Sequence, residues 1–356
     1  MAEGRAPTIY DVAKAAGVAA STVSRAFARP GRVNAETAER IRQVAAELGY
    51  RANPLARALP TGRTSMIAFV VADVSNPFHN EIIRGAQTAC ADAGYSMLLA
   101  DAQESGLRER ELLDRAMSTV EGIVLATSRM PDSAIRMIAK QKPTVVLNRV
   151  LGDVPSVVTD NPRGMRRAAE HLGELGHERI TYVAGPEASW ADGTRWRALR
   201  EAGLELELQV RRVGPFEPTV AGGARAAAEL GRHPTSAVIA YNDLMAIGLI
   251  QALTTRGVRV PHEVSVVGFD NIFVSELVTP ALTTVAAPLN AMGHTAVGNL
   301  LAMIRGATPR TAEPVTLPSL LVVRGSTAHR RRNRTSPAFG TTNAAGSARS
   351  TDAGSR

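Results

Sequence analysis

Of the 356 residues, one is a cysteine, Cys90, so no intrachain disulfide can form and no thiolate cluster is available for a metal. Cys90 falls in a helical pattern with Ile82, Ile83, Ala86 and Ala89, which predicts a reduced, packed thiol. Aromatic residues are scarce at 4%, so an aromatic in a loop carries weight. No apolar run is long enough to span a bilayer, and the first residues lack a hydrophobic signal stretch, so a cytoplasmic protein without a membrane partner is expected. Also missing are a P-loop, a GxGxxG after a strand, a GxSxG elbow and an HExxH pair. No catalytic residue, metal site or cofactor is predicted, and the chain is not expected to be an enzyme.

The first fifty residues have a helical grammar. Thr8 precedes a short helix and Asp11 follows three residues later, the spacing of a capping box. Gly17 breaks that helix, and Ala20-Ser21-Thr22-Val23-Ser24-Arg25-Ala26-Phe27 opens a second. Two short helices around a glycine turn, with a third behind them, are the pattern of a helix-turn-helix. Val23, Ala26 and Phe27 share one face of the second helix, while Ala20, Ser21, Ser24 and Arg25 share the other. That second face suits a major groove, with Ser21 bonding a base edge and Arg25 forking onto a guanine. Asn34 is a cap for the third helix, Ile41, Val44, Ala45 and Leu48 form its apolar stripe, and Gly49 ends it. The segment Asn53-Pro54-Leu55-Ala56-Arg57-Ala58-Leu59-Pro60 frames a further helix too short to be stable alone.

Charge follows the same division. Residues 1–64 hold ten basic and five acidic side chains, residues 65–323 hold 24 and 27, and residues 324–356 hold seven and one. A basic head on a mildly acidic body suits phosphate contact by the head. The tail from residue 329 is rich in Arg, Ser, Thr, Gly and Ala, lacks hydrophobic periodicity, and is expected to be disordered.

From Ser65 on, apolar runs alternate with amphipathic helices. Strands are expected at 66–71, 96–100, 122–126, 143–147, 179–184, 237–241, 264–269 and 319–323, with helices at 81–93, 108–119 and 292–304. Such alternation means parallel sheets covered on both faces, and its two series imply two lobes with ligands at the carboxyl ends of the strands. The fold class is therefore α/β, an all-α helix-turn-helix head followed by a two-lobed doubly wound parallel-sheet core. The expected division is head 1–52, hinge helix and linker 53–64, core 65–328 and basic tail 329–356.

The ordered pieces TIYDVAKAAGVAASTVSRAF, VNAETAERIRQVAAELGY and NPLARAL, then VTDN, GHERI and TPALTT further on, resemble the LacI/GalR family of bacterial transcription regulators. The resemblance implies that Ala20, Ser21 and Arg25 read bases. It further implies that Leu59 wedges into the minor groove beside Ala56 and Arg57. The chain departs from the family at Ala19, where a serine cap is usual, and at Pro60. In the body, which resembles periplasmic sugar-binding proteins, the resemblance places effector contacts on Phe78, Arg195, Asn242 and Asp270, with Asn148, Trp190 and Phe216 as further candidates. Asn148 stands where an aspartate is common. Arg195 and Asp270 can each bond vicinal hydroxyls, and Phe78, Trp190 or Phe216 can stack on a sugar ring. Asp270 with Asn271 is equally a turn pair, and Trp190 can pack under its own loop.

These expectations describe a dimeric, ligand-responsive repressor that binds near-palindromic double-stranded operator DNA and takes a small-molecule effector, a sugar. A purine or nucleoside corepressor is the alternative, and a transport solute-binding protein is a more distant one. The helix at 81–93, with Cys90, is the candidate dimer contact.

Overall fold

A computed structural model of the chain describes residues 7–28, 30–50, 63–308 and 313–330. Ala56, Arg57 and Leu59 lie outside the described residues, as does the tail from residue 331.

The head is three helices, α1 (Ile9–Ala16), α2 (Ala20–Ala28) and α3 (Ala35–Glu47). The backbone N–H of Thr8 donates to Asp11 Oδ2 at 2.7 Å and its hydroxyl to the same oxygen at 2.6 Å, tying the start of α1. Gly17 then adopts φ +64°, a left-handed conformation that a side chain would strain, and turns the chain into α2. Asn34 Oδ1 accepts from the Glu36 amide at 2.9 Å to cap α3. Val12, Val23, Ala26, Ala38, Ile41 and Ala45 close the small core. Leu48, expected in that core, is 41% exposed, because α3 ends at Glu47 and the chain turns away through Gly49.

The body has two six-stranded sheets. In the N-lobe the strands are β1 (Met66–Val71), β2 (Ser96–Asp101), β3 (Gly122–Ala126), β4 (Thr144–Leu147), β5 (Ser156–Thr159) and β11 (Val315–Leu317), in spatial order β11-β5-β4-β3-β1-β2 and all parallel. In the C-lobe they are β6 (Arg179–Val183), β7 (Gln209–Val213), β8 (Ala237–Ala240), β9 (Ser265–Asp270), β10 (Thr283–Ala286) and β12 (Leu320–Val322), in order β12-β10-β9-β8-β6-β7 with β12 antiparallel. Alternation along β1 sorts its side chains to two faces. Ile67, Phe69 and Val71 join one buried cluster and Ala68 and Val70 another, so both faces are covered.

In the N-lobe, α4 (Phe78–Asp92) and α11 (Leu289–Ile304) cover one face, while α5 (Gly106–Ala116) and α6 (Asp132–Gln141) cover the other. The C-lobe is wrapped by α7 (Asn161–Glu174), α8 (Trp190–Glu205), α9 (Val220–Arg232) and α10 (Asp243–Thr255). The lobes share a packing device. A Cβ on Gly85 would strike the Asn290 carbonyl and one on Gly293 the Ile82 carbonyl, so α4 and α11 meet backbone to backbone. Gly223 and Gly248 do the same for α9 and α10.

The apolar face of α4, with Ile82, Ala86, Ala89 and Cys90, is thus buried inside the N-lobe against α11, and its exposed residues other than Ala91 are polar. Exposed apolar residues near it include Leu98 and Leu99 on the edge strand β2.

The chain crosses between lobes after β5, after β10 and between β11 and β12. At the crossings the Asp160 amide donates to Leu317 O at 2.8 Å and Ser319 Oγ to Asp160 O at 2.8 Å. Chain beyond the last strand stays attached, with Ala328 O 3.2 Å from His177 Nε2 and the Arg330 amide donating to Leu175 O at 2.8 Å. No helix among the described residues is long and apolar enough to cross a membrane.

Candidate functional site

In the head, Val23 and Ala26 of α2 are buried, and Phe27 packs against Tyr50 with ring centroids 6.0 Å apart. On the other face Ser21 and Arg25 are exposed, Ser24 is half-buried, and Ala20 is half-buried against the head core. Arg25 Nε donates to Ser21 O and Nη2 to Ser21 Oγ, each at 3.2 Å, so the two predicted base readers support one another in free protein. At the start of α2 the Ala19 carbonyl accepts from Thr22 and Val23; Ala19 has no side-chain oxygen to add a cap.

The second site lies between the lobes. In each sheet the strand order reverses next to the first strand, between β1 and β3 and between β6 and β8, and a ligand crevice forms at such a reversal. The loops leaving those strands supply Asn76, Phe78 and His79, Thr127 to Arg129, Ser189 and Trp190, and Tyr241 and Asn242. Asn148 after β4 and Asp270 at the end of β9 complete the walls. Thr127, Asn148 and Asp270 have φ of +63°, +53° and +116°, so three cleft residues occupy conformations that side chains rarely adopt.

Arg195, on α8, is 4% exposed and organises the C-lobe wall. Its Nε donates to Asn161 Oδ1 at 2.9 Å, Nη1 to the Tyr241 carbonyl, and Nη2 to Asp270 Oδ1 at 3.4 Å. The guanidinium carbon lies 3.5 Å from the Phe269 ring centroid, a close cation–π contact. Burial pushes the Asp270 carboxyl up to about 8, with Arg195 opposing the shift and Asp243 adding to it. Asp270 can therefore donate as well as accept near neutral pH.

His79 is buried, and burial takes it down to about 4, so the ring is neutral at pH 7. Its Nδ1–H donates to the Asp73 carbonyl at 2.7 Å, leaving Nε2 as an acceptor 3.0 Å from Thr127 Oγ1. Arg129 grips Glu104 through Nε at 2.6 Å and Nη2 at 3.2 Å, and across the cleft Tyr241 Oη lies 2.9 Å from Ser189 Oγ. Buried Asp192 holds the 185–192 loop, accepting from Tyr182 Oη at 2.9 Å, Gly185 N at 2.8 Å and Arg212 Nη2 at 2.7 Å.

Of the effector residues expected from sequence, Phe78, Asn148, Trp190, Arg195, Asn242 and Asp270 line this one cleft. Phe216 does not. Its amide donates to Ala184 O at 3.1 Å and its ring packs on the C-lobe core beside Gly214. Asn242 lines the cleft but also caps α10, accepting from Met245 N at 3.0 Å while its Nδ2 donates to Pro218 O at 3.1 Å. Sequence reasoning missed His79, Glu104, Arg129, Arg149 and Tyr241. All but Glu104 lie within, or next to, strand-end loops already located, so that rule applied residue by residue would have found them.

A helical head with an exposed Ser/Arg face, joined to a two-lobed body with a polar cleft at its strand ends, defines a DNA-reading protein controlled by a small molecule. Comparison with known proteins gives the family. Residues 8–53 match the model of bacterial regulatory proteins, lacI family, and residues 169–327 match the periplasmic binding protein-like domain. The HTH-type transcriptional regulator DegA of Bacillus subtilis (strain 168) is 34% identical over 90% of this chain and 98% of its own length. The lac repressor dimer bound to operator and an anti-inducer superposes with a TM-score of 0.81 at 25% identity, over 91% of this chain and 100% of that one. A regulator from Enterococcus faecalis V583 with bound ribose gives 0.67 at 30% identity, over 75% of this chain and 100% of that one. The chain belongs to the LacI family of bacterial regulatory proteins.

Proposed function

We propose that this protein is a transcriptional repressor that acts as a homodimer on a near-palindromic operator and answers to a sugar bound between its lobes. The observation that carries this is the pairing, in one chain, of the exposed Ser21/Arg25 face with the buried Arg195/Asp270 pair at the strand ends. Two heads related by a twofold axis meet two operator halves, and Arg25 has the fork for a guanine while Ser21 serves a second edge. In the cleft, Arg195 and Asp270 bond ring hydroxyls, and Phe78 and Trp190 cover the ring's apolar face. Exposed apolar residues such as Leu98, Leu99, Phe273 and Leu277 offer surface to the partner subunit.

Residues 1–52 are the reading head, 53–64 the hinge, with Ala56 and Arg57 beside the Leu59 wedge, 65–328 the effector and dimer body, and 329–356 a basic tail. Sugar binding changes the angle between lobes and so decides whether the two hinges fold together on DNA, a coupling of two binding equilibria. The protein turns over no substrate and works in the cytoplasm, where the chromosome is.

The test is selection of duplex DNA from a random library by the purified full-length protein. Recovery of one near-palindromic site, lost in Leu59→Ala, supports the reading. Failure to enrich any site, with and without small molecules from a cell extract, sinks it.

A further inference from the structure

The walls of the cleft are unevenly charged. The N-lobe wall presents Arg129 and Arg149 against one carboxylate, Glu104, and the C-lobe wall presents Arg195 against Asp270. Asn148, immediately before Arg149, is an amide and adds no negative charge.

Glu104 is committed to Arg129, whose side chain is 8% exposed. Arg149 has a different supply of partners. Its Nη1 donates to the carbonyls of Met130 at 2.6 Å and Ser128 at 3.4 Å. Its Nη2 meets Asp132, which stands exposed at the start of α6 and is not part of the cleft lining. These contacts fix the guanidinium, yet its Nε–H is buried and has no hydrogen-bond partner among the described residues. A buried donor without an acceptor is costly, and the cost is removed by whatever brings the acceptor. A hydroxyl can do so singly. A carboxylate or phosphate oxygen makes a stronger, charge-assisted bond to a guanidinium. Arg129 lines the same wall beside Arg149.

We propose that the effector is an anionic sugar, its carboxylate or phosphate received on the N-lobe wall by Arg149 and Arg129. Its ring hydroxyls then face Arg195 and Asp270. This rests on the reading of the cleft as a sugar site.

Calorimetric titration of the full-length protein tests it with a panel of common hexoses and pentoses, each beside its uronate or aldonate and its terminal phosphate ester. At least one charged member should bind about tenfold or more tighter than its neutral parent, with an advantage that shrinks as salt rises. The carboxylate and phosphate arms show which anion is meant. Arg149→Gln should remove most of that advantage, and Arg149→Lys, which keeps the charge without the fork, should retain part of it. Neutral parents that bind as tightly as their charged partners overturn the proposal while leaving the sugar reading intact. Equal losses for charged and neutral sugars in Arg149→Gln also overturn it. If no sugar in the panel binds, the sugar reading falls and this proposal with it.

Discussion

Arg25 in the head is exposed and bonds to Ser21 one turn back, whereas Arg195 in the body is buried and bonds to Asn161, Tyr241 and Asp270 while lying over Phe269. The exposed guanidinium leaves its resting contacts at little cost and can exchange them for a base edge, because water already competes for the same donors. The buried one is set in place by folding, so a ligand meets groups that need no further ordering. A DNA reader is therefore separable from the fold around it, while an effector reader is part of that fold. The same substitution at the two positions should report on different properties.

Arg195→Ala carries the largest expected effect. It leaves Asn161 Oδ1, the Tyr241 carbonyl and Asp270 without their donor in a site closed to water, and breaking a buried pair typically costs about 3–5 kcal/mol. Urea unfolding should show a loss of that order, and effector binding should vanish with it. A loss below about 1 kcal/mol would mean that the site relaxes or admits water, and the contrast with Arg25 would collapse.

Arg25→Ala should do the reverse. Stability stays within about 0.5 kcal/mol, as for most exposed positions. Binding to the selected operator falls by about 1–3 kcal/mol, while binding to unrelated DNA falls less, since a base contact is lost on the first and at most a phosphate contact on the second. Equal losses on both DNAs, measured at one salt concentration, would make Arg25 a phosphate contact and leave base reading to Ser21 and its neighbours.

How much of this was legible follows the same division. The capping box at Thr8 and Asp11, the turn at Gly17 and the cap at Asn34 are local, and local chemistry is written in adjacent residues. The buried strands β1, β3, β4, β6, β8 and β9 read as apolar runs because both their faces are covered. Strands β7 and β11 did not, since QVRRV and VTL lie largely at exposed edges, and the buried β5 and β10 were also not expected, because the hydroxyl residues of SVVT and TTVA shorten their apolar runs. In the cleft, Arg195 and Asp270 were found by family resemblance and strand-end placement. The partnership of Arg195 with Asn161 joins residues 34 apart on two different helices, and Asp192 receives bonds from three separate elements. Phe216 lies outside the cleft lining, because an aromatic in a loop can turn to the core as well as to the ligand. Such pairings are set by topology, which periodicity does not encode.

The smallest expected effect concerns the proton on Asp270, and it decides how completely Arg195 is paired. Burial takes this carboxyl up to about 8 from an ordinary 3.8, so between those values the native state holds a proton that the unfolded chain has released. Its contribution is therefore present at low pH and lost as pH rises through the native value. His79 works in the opposite sense. Lowered to about 4 from 6.5, it costs the native state stability below 6.5 and has no effect above it. Asp243, raised to about 6, has finished titrating by then. From pH 6.5 to 8, Asp270 is left of the three. Asp270→Asn keeps an oxygen for Arg195 and removes the titration. Relative to this variant, the parent should lose up to roughly 1 kcal/mol of stability per pH unit across that window, read by urea unfolding at each pH. Parallel profiles would mean that Asp270 is already ionised at pH 6.5. The 3.4 Å contact to Arg195 would then be a full ion pair, strong enough to outweigh burial.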